Sequence, residues 1–170
     1  MHRGSPDIAW LDREIFMISR GRRSRHSGTQ ILLVEDDRPT LEILSLHLSR
    51  FYTIVACISG ETALEALRSN RYISVIVTDL RMPGVNGYDI LRWTAENAWR
   101  PDKTIPAVVL TGHATPEDEQ RARSLGVTQF QRKPIDLRQL RDAIESCRSP
   151  TEGHSLGRAG IVQAVEEWKS

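Results

Sequence analysis

The sequence predicts an α/β fold, a doubly wound five-stranded parallel sheet with flanking helices. Short apolar runs alternate with helical patterns, and five such pairs lie between Gln30 and Pro150. This alternation is typical of βα units, in which each strand is followed by a helix that packs on the sheet. The third run, 73–78, has the length and apolar character of a buried strand.

Each predicted element carries its own sequence signal. The strands are the apolar runs at 31–34, 52–57, 73–78 and 105–110, with a weaker fifth run at 127–130. Capping residues or a first-turn proline mark the helix starts: Pro39, Ser59, Asn86, Thr115 with Pro116, and Asp136 with Gln139. The third helix is predicted to run to about Trp99, and Gly126 suits the end of the fourth. No internal repeat is evident.

The chain is longer than a single core usually requires, and the surplus lies at its two ends. We expect a flexible basic N-terminal extension at 1–29, a globular domain at 30–148, and a linker with a short tail at 149–170 that carries a helical pattern. In the first segment apolar residues recur at helical spacing: Ile8, Leu11, Ile15 and Ile18. Met17 could equally be an alternative start. The tail could dock on the domain or on a partner.

Composition narrows the function classes. The 23 basic and 22 acidic residues leave a net charge of +1, so no overall field attracts nucleic acid or an anionic membrane. Cys57 and Cys147 are the only cysteines, too few for a metal finger, and we expect both to be buried thiols. No apolar stretch has the length of a membrane helix or of a signal sequence core. We expect a cytoplasmic protein that binds neither membrane nor nucleic acid.

Asp79 ends the third apolar run, at the edge of a parallel sheet where ligands bind. Reactive and charged residues also follow the other strands, and they should meet Asp79 at that edge: Glu35, Asp36, Asp37, Thr111, Gly112, His113, Arg132 and Lys133. Carboxylates gathered in this way call for a hard cation such as Mg²⁺. A lysine and a hydroxyl supply donors for an anion. The set therefore indicates a carboxylate that accepts a phosphoryl group.

These residues stand in four ordered motifs. The motifs are Ile31 to Asp37, Val77 to Gly84, Leu110 to Ala114, and Phe130 to Pro134. Together they resemble the response-regulator receiver domain of two-component signalling, of the single-domain type, over about 30–148. The resemblance implies a flavodoxin-like sheet with strand order 2-1-3-4-5. Asn86 stands where that family frequently has aspartate, which changes a cap and leaves the chemistry alone.

The resemblance also assigns roles to individual residues. Asp79 would be the phosphoacceptor, while Thr111 and Lys133 would contact the phosphoryl group. The Mg²⁺ ligands would be Glu35, Asp36, Asp79 and the main-chain carbonyl of Arg81. Phe130 would be an aromatic switch residue that moves with Thr111, and Arg81 and His113 would tune the lifetime of the phosphoryl group. The Lys133–Pro134 peptide bond is expected to be cis.

The implied function is a phosphorelay switch that takes a phosphoryl group from a histidine kinase or a phosphotransfer protein. Its output would be a change in the face formed by the fourth helix, fifth strand and fifth helix, which regulates an unknown protein partner. It would catalyse only its own phosphorylation and dephosphorylation, so we do not expect an enzyme acting on other substrates.

Alternatives remain for the site and for the whole chain. Asp37 could be a solvated turn residue or a helix cap, Phe130 could simply pack, and Arg81 and His113 could be ordinary solvent-facing side chains. A receiver could work through binding alone, without phosphorylation. An aspartyl-phosphate phosphatase would usually place a second aspartate where Arg81 stands. A flavin-binding module is disfavoured, because the acidic residues of the first loop would repel the phosphate of the flavin.

Overall fold

Local sequence signals place the helices and strands of this computed structural model, which describes residues 15–18, 29–97, 105–112 and 114–148. The strands within these ranges are β1 Ile15–Ile18, β2 Gln30–Val34, β3 Thr53–Cys57, β4 Ile73–Asp79, β5 Ala107–Thr111 and β6 Val127–Arg132. The helices are α1 Arg38–Leu48, α2 Gly60–Ser69, α3 Gly87–Glu96, α4 Pro116–Ser124 and α5 Leu137–Arg148.

The predicted parallel sheet is confirmed. β2 pairs in parallel with both β3 and β4, and β5 pairs in parallel with β4 and β6. The order β3-β2-β4-β5-β6 is the predicted 2-1-3-4-5, counted over the five parallel strands. The carboxyl ends of these strands therefore lie at one edge of the sheet, as the sequence argument required.

An additional strand, β1, was not predicted. It pairs antiparallel with β3, with Ile15 opposite Cys57 and Ile18 opposite Ile54. The helical spacing of Ile8, Leu11, Ile15 and Ile18 was the wrong pattern for 15–18. The run Ile-Phe-Met-Ile has high strand propensity, and the outer edge of β3 offers unpaired backbone groups that a strand can satisfy. Residues 1–14, 19–28 and 149–170 lie outside the described residues, so the flexible extension and the helical tail predicted there stay predictions.

Two hydrophobic clusters cover the two faces of the sheet. One joins residues such as Leu32, Ile76 and Val109 to the apolar sides of α2, α3 and α4. The other joins Leu33 and Val77, among others, to α1 and α5. Neighbouring strand residues point to opposite faces, so the central strands are apolar along most of their length. This two-sided core holds the strand ends, and the side chains that follow them, in fixed positions.

The predicted caps are confirmed at every helix. Asp37 accepts a hydrogen bond from the N–H of Thr40 at 3.0 Å. Of the two interpretations of this residue, helix cap or solvated turn residue, the structure therefore supports the cap. Ser59, Asn86 and Thr115 each form a reciprocal capping box at α2, α3 and α4. Gly126 has a φ of 94°, a left-handed conformation in which glycine is favoured.

Asp136 caps α5 and makes that helix sensitive to acid. One Asp136 oxygen accepts the N–H groups of Arg138 at 2.8 Å and Gln139 at 3.0 Å, and these bonds lower the pKa of Asp136. A lowered folded-state pKa contributes stability above the unfolded pKa of about 4, and that stability is lost as the pH falls through the folded value. We expect Asp136→Asn, which keeps an acceptor, to remove this part of the acid dependence.

Urea unfolding at several pH values between about 7 and 2 would test the Asp136 prediction. The difference in free energy of unfolding between Asp136→Asn and the unsubstituted protein should shrink as the pH falls. A difference that stays constant across this range would contradict it.

Composition led us to expect two buried cysteine thiols and no membrane helix. Cys57 and Cys147 are free thiols; Cys57 is buried and Cys147 is only half-buried, which corrects the expectation for the latter. Burial raises the pKa of the Cys57 thiol to about 12, against a smaller lowering by its hydrogen bond with Thr62. Among the described residues, no helix combines the length and apolar character needed to cross a membrane.

Candidate functional site

Asp79 is the last residue of β4 and is buried, with 8% of its surface exposed. Its two carboxylate oxygens have different partners. Oδ1 accepts the main-chain N–H of Arg81 at 2.9 Å, and Oδ2 accepts a hydrogen bond from Lys133 Nζ at 2.6 Å. The loop that follows β4 therefore folds back to fix the carboxylate, and the lysine that follows β6 neutralises it.

Glu35 and Asp36 follow β2, the strand beside β4, and bring two more carboxylates to Asp79. One carboxylate oxygen from each of the three residues lies within 4.8 Å of the others. Glu35 is only 1% exposed, whereas Asp36 is exposed. Burial raises the pKa of Glu35, although the hydrogen bond and charge of Lys133 act in the opposite direction. The cluster thus concentrates negative charge with one cation beside it.

The donor set fits a hard divalent cation. Glu35 Oε1 accepts a hydrogen bond from Lys133 Nζ at 3.0 Å. Oε2 is also close to Nζ, at 2.9 Å, but it is buried and accepts no hydrogen bond of acceptable geometry from the described residues. A buried carboxylate oxygen without a donor is costly unless a cation or water satisfies it. Mg²⁺ and Ca²⁺ are hard cations that take oxygen ligands, and this cluster supplies carboxylate oxygens from three residues.

Lys133 directly follows β6 and forms hydrogen bonds with residues that end or follow other strands. Its main-chain N–H donates to the carbonyl of Thr111 at 2.8 Å, and the Lys133–Pro134 peptide bond is cis, as expected. Burial lowers the pKa of Lys133, but its bonds to Asp79 and Glu35 and their charges outweigh burial and raise it. The ammonium group is therefore protonated at neutral pH.

Thr111 and Phe130 lie on the same face of the sheet. Thr111 ends β5 and is 2% exposed. Phe130 on β6 is the register partner of Val109, two residues before Thr111, so all three side chains point to one side. Phe130 is half-buried, packs against the cluster on that side, and lies under the Arg123 guanidinium at 5.0 Å. Phe130 therefore has a packing role, and its role as a switch residue stays a prediction.

Arg81 reaches away from the carboxylates toward α4. Its guanidinium lies 3.4 Å from Asp118 Oδ2 in the first turn of that helix. Tyr88, near the start of α3, donates its hydroxyl to the other Asp118 oxygen at 2.8 Å. Neither Asp118 nor Tyr88 was selected as a site residue from the sequence. No local signal pairs them, because they lie 30 residues apart and meet only in the folded chain.

The other residues predicted to lie at the site differ in how far the structure describes them. His113 lies outside the described residues, so its tuning role stays a prediction. Gly112 precedes it at an exposed position beside Thr111, and Asp37 caps α1 and is not part of the three-carboxylate cluster. The positions of Glu35, Asp36, Asp79 and Lys133 agree with the predicted site, although their roles are not thereby tested.

The fold and the acidic cluster define a class of small α/β domain with a carboxylate and a lysine at its sheet edge. The family described as "Response regulator receiver domain" matches residues 31–145. The chain belongs to this receiver domain family of two-component response regulators. Receiver domains are signalling switches that typically bind Mg²⁺ at an acidic pocket, and Glu35, Asp36 and Asp79 form an acidic cluster in this structure.

Curated relatives share the domain but are much longer. The chain is 32% identical over 120 residues to a "Probable cyclic di-GMP phosphodiesterase" of Vibrio cholerae, and 31% identical over 121 residues to "Transcriptional regulatory protein GlrR" of Escherichia coli. Each match covers 71% of this chain and 26% of the relative. This chain therefore corresponds to about a quarter of these proteins' length.

Solved structures support the fold over a similar span. A response regulator receiver protein from Pseudomonas putida is 28% identical, with a TM-score of 0.64, and the match covers 71% of this chain and 98% of that one. The chemotaxis protein CheY4 of Vibrio cholerae, at 23% identity, has a TM-score of 0.65 over 71% of this chain and 99% of its own. At that identity the second comparison supports the fold alone.

Proposed function

We propose that the domain is a phosphoacceptor switch in which Asp79 takes a phosphoryl group from a phosphohistidine on a histidine kinase or phosphotransfer protein. The observation that carries this proposal is the position of Lys133 Nζ, 2.6 Å from Asp79 and within 3.0 Å of Glu35. One cation thus neutralises the proposed nucleophile and an adjacent carboxylate. That arrangement suits a reaction in which a negatively charged phosphoryl group arrives beside these two carboxylates.

In the reaction, an Asp79 carboxylate oxygen attacks phosphorus while the bond from phosphorus to the histidine nitrogen breaks. Asp79 must give up one hydrogen bond, and Lys133 can then donate to a phosphoryl oxygen. The Thr111 hydroxyl supplies a further donor at the end of β5. Mg²⁺, held by Glu35, Asp36, Asp79 and the main-chain carbonyl of Arg81, would supply positive charge to the phosphoryl oxygens.

The output is a change in the face formed by α4, β6 and α5. Thr111 and Phe130 share one side of the sheet two register positions apart, so a shift of the threonine toward a phosphoryl group frees space beside the aromatic ring. Two packings of this face would then differ in population between the phosphorylated and unphosphorylated states. A downstream protein that binds one packing better would read the signal.

Intact-mass analysis after incubation with acetyl phosphate and Mg²⁺ tests the phosphoacceptor role. We expect the protein to gain the mass of one phosphoryl group, and Asp79→Ala to gain none. EDTA in place of Mg²⁺ should also prevent the gain, because the buried carboxylates would then repel the incoming phosphoryl group.

A different result of the same experiment would favour a receiver that works through binding alone. In that case neither the protein nor Asp79→Ala would gain mass, although both would remain folded by circular dichroism. A mass gain that persists in Asp79→Ala would place the phosphoryl group on another residue and would overturn the assignment of Asp79.

A further inference from the structure

The helix α1 has an apolar stripe on the side that faces away from the sheet. Ile43 and Leu46 are 61% and 62% exposed, while the opposite side of the helix supplies the buried residues that pack on the sheet. With the exposed Pro39 they form the outer stripe of α1, at spacing i, i+4 and i+7. Single exposed apolar residues are ordinary, but neighbours on one helix face form a surface that suits a partner.

The C-terminal segment has a stripe of the same spacing in its sequence. Ile161, Val165 and Trp168 also stand at i, i+4 and i+7. This segment lies outside the described residues, and at 161–170 it is shorter than the 12 to 15 residues or so that an isolated helix needs in water. A helix there would therefore require a surface on which to pack its apolar side.

The chain leaves α5 beside the C-terminal end of α1. The Tyr52 hydroxyl, just after α1, donates to Glu145 near the end of α5. The Arg141 guanidinium lies 5.2 Å from the Phe51 ring centroid, so the same two chain ends meet a second time. The segment 149–160 that follows α5 can span up to about 40 Å, whereas α1 is only about 16 Å long. Residues 161–168 can thus reach every position of the outer stripe.

The charges of the two stripes are complementary in the direction that this connection requires. A segment that arrives at the C-terminal end of α1 would run antiparallel to it and finish near Arg38 in its first turn. Arg38 is exposed, and no ion pair joins it to another described residue. Glu166 and Glu167 stand beside Trp168, toward the end of the segment. The acidic end of the segment would therefore lie at the basic start of α1.

We propose that the outer stripe of α1 is the docking site of this chain's own C-terminal segment, residues 161–168. The segment is tethered, so its effective concentration at α1 is in the millimolar range, far above that of a second copy in dilute solution. Matching apolar spacing, reach and charge all favour it over other occupants. A protein partner that binds α1 would have to displace the segment. This inference goes beyond the proposed function and does not depend on phosphorylation of Asp79.

Disulfide cross-linking in the full-length chain tests the docking. All variants carry Cys147→Ser, so that the buried Cys57 is their only shared thiol. Ile43→Cys combined with Val165→Cys places two thiols across the proposed contact. Oxidised glutathione converts them to a disulfide while it is itself reduced to two glutathione thiols. Iodoacetamide then labels the thiols that remain, and intact mass counts them. We expect this pair to close about tenfold faster than a pair that docking does not bring together.

Asp142→Cys combined with Val165→Cys is the matched control. The Asp142 side chain is 73% exposed on α5 and is nearer to residue 165 along the chain, so an undocked segment would reach it at least as readily. Leu46→Glu, added to the pair at 43 and 165, should slow closure to the control rate, because it places a charge in the apolar contact. Leu46 is exposed, so the domain core is unaffected, and a thermal melt checks this.

The comparison of closure rates decides the question. Faster closure of the pair at 43 and 165, lost on Leu46→Glu, supports the inference. Equal rates for this pair and the control overturn it. Disulfide-linked dimers of Ile43→Cys alone that form faster than the internal disulfide would assign the stripe to a second copy. Faster closure of Ile43→Cys with Leu11→Cys would assign it to the N-terminal segment, and either result overturns the proposal. No step involves a phosphoryl group, so failure of the proposed function is a separate result.

Discussion

Lys133→Met is expected to lower the rate of phosphorylation of Asp79 by acetyl phosphate by about two orders of magnitude. Methionine retains the length of the side chain but removes the ammonium group that lies 2.6 Å from Asp79 and 3.0 Å from Glu35. The incoming phosphoryl group would then meet two buried carboxylates without the cation that neutralises them. Single-turnover kinetics followed by intact mass would measure the effect.

The same substitution should destabilise the protein in the absence of divalent cations. Glu35 is 1% exposed and Asp79 is 8% exposed, so removal of their shared partner leaves two buried like charges. Breaking a buried ion pair in this way costs about 3 kcal/mol. Loss of Lys133 also removes the interactions that hold down the pKa of Glu35, which should rise further above its usual value.

Added Mg²⁺ should restore more stability to Lys133→Met than it adds to the unsubstituted protein, because the cation would replace the missing charge. Urea unfolding with EDTA and with Mg²⁺ would measure this. Arg132→Met is the control, since it removes a positive charge at the preceding position from a side chain that is 75% exposed. Equal losses of phosphorylation rate in the two variants would contradict a specific role for Lys133.

Gly87→Ala is expected to reduce the free energy of unfolding by about 3 kcal/mol and to slow phosphorylation as well. Gly87 begins α3, and its N–H donates to the carbonyl of Leu80 at 3.2 Å. A Cβ at this position would lie 2.3 Å from the carbonyl oxygen of Asp79 and 2.8 Å from Leu80 Cα. Both contacts are with backbone, so the loop that holds the reactive carboxylate must move.

The matched control for Gly87→Ala is Gly112→Ala. Gly112 is exposed beside Thr111, and a Cβ there would meet no atom within 4 Å. We expect Gly112→Ala to unfold at nearly the same urea concentration as the unsubstituted protein. If Gly87→Ala were equally well tolerated, the close approach of α3 to the Asp79 backbone would not constrain the site.

Much of the site could be predicted from the sequence because its residues follow strands. Asp79 ends β4, Glu35 follows β2, and Lys133 follows β6. Once the strands are taken as parallel, these positions must meet at one sheet edge whatever the details of packing. The helix starts were equally accessible, since a capping side chain and the N–H it accepts lie within three residues of each other.

The edge strand β1 was missed because the local pattern and the tertiary context disagreed. Ile15 and Ile18 fit helical spacing, yet the segment pairs with β3, whose outer edge was open. Helical spacing over a few residues is a weak guide where a sheet edge lies nearby, since the backbone hydrogen bonds that the edge offers can outweigh it. Only knowledge of which strand lies at the edge would have favoured a strand there.

Sequence patterns were enough to predict the parallel α/β fold, the helix caps, and the meeting of Asp79, Glu35, Asp36 and Lys133, because these depend on signals within a few residues or on strand direction. They did not predict that one lysine contacts two carboxylates, or that Asp118, Tyr88 and Arg81 form one network. Such contacts depend on the relative placement of loops and helices, and small differences in packing change which side chains come within hydrogen-bond distance.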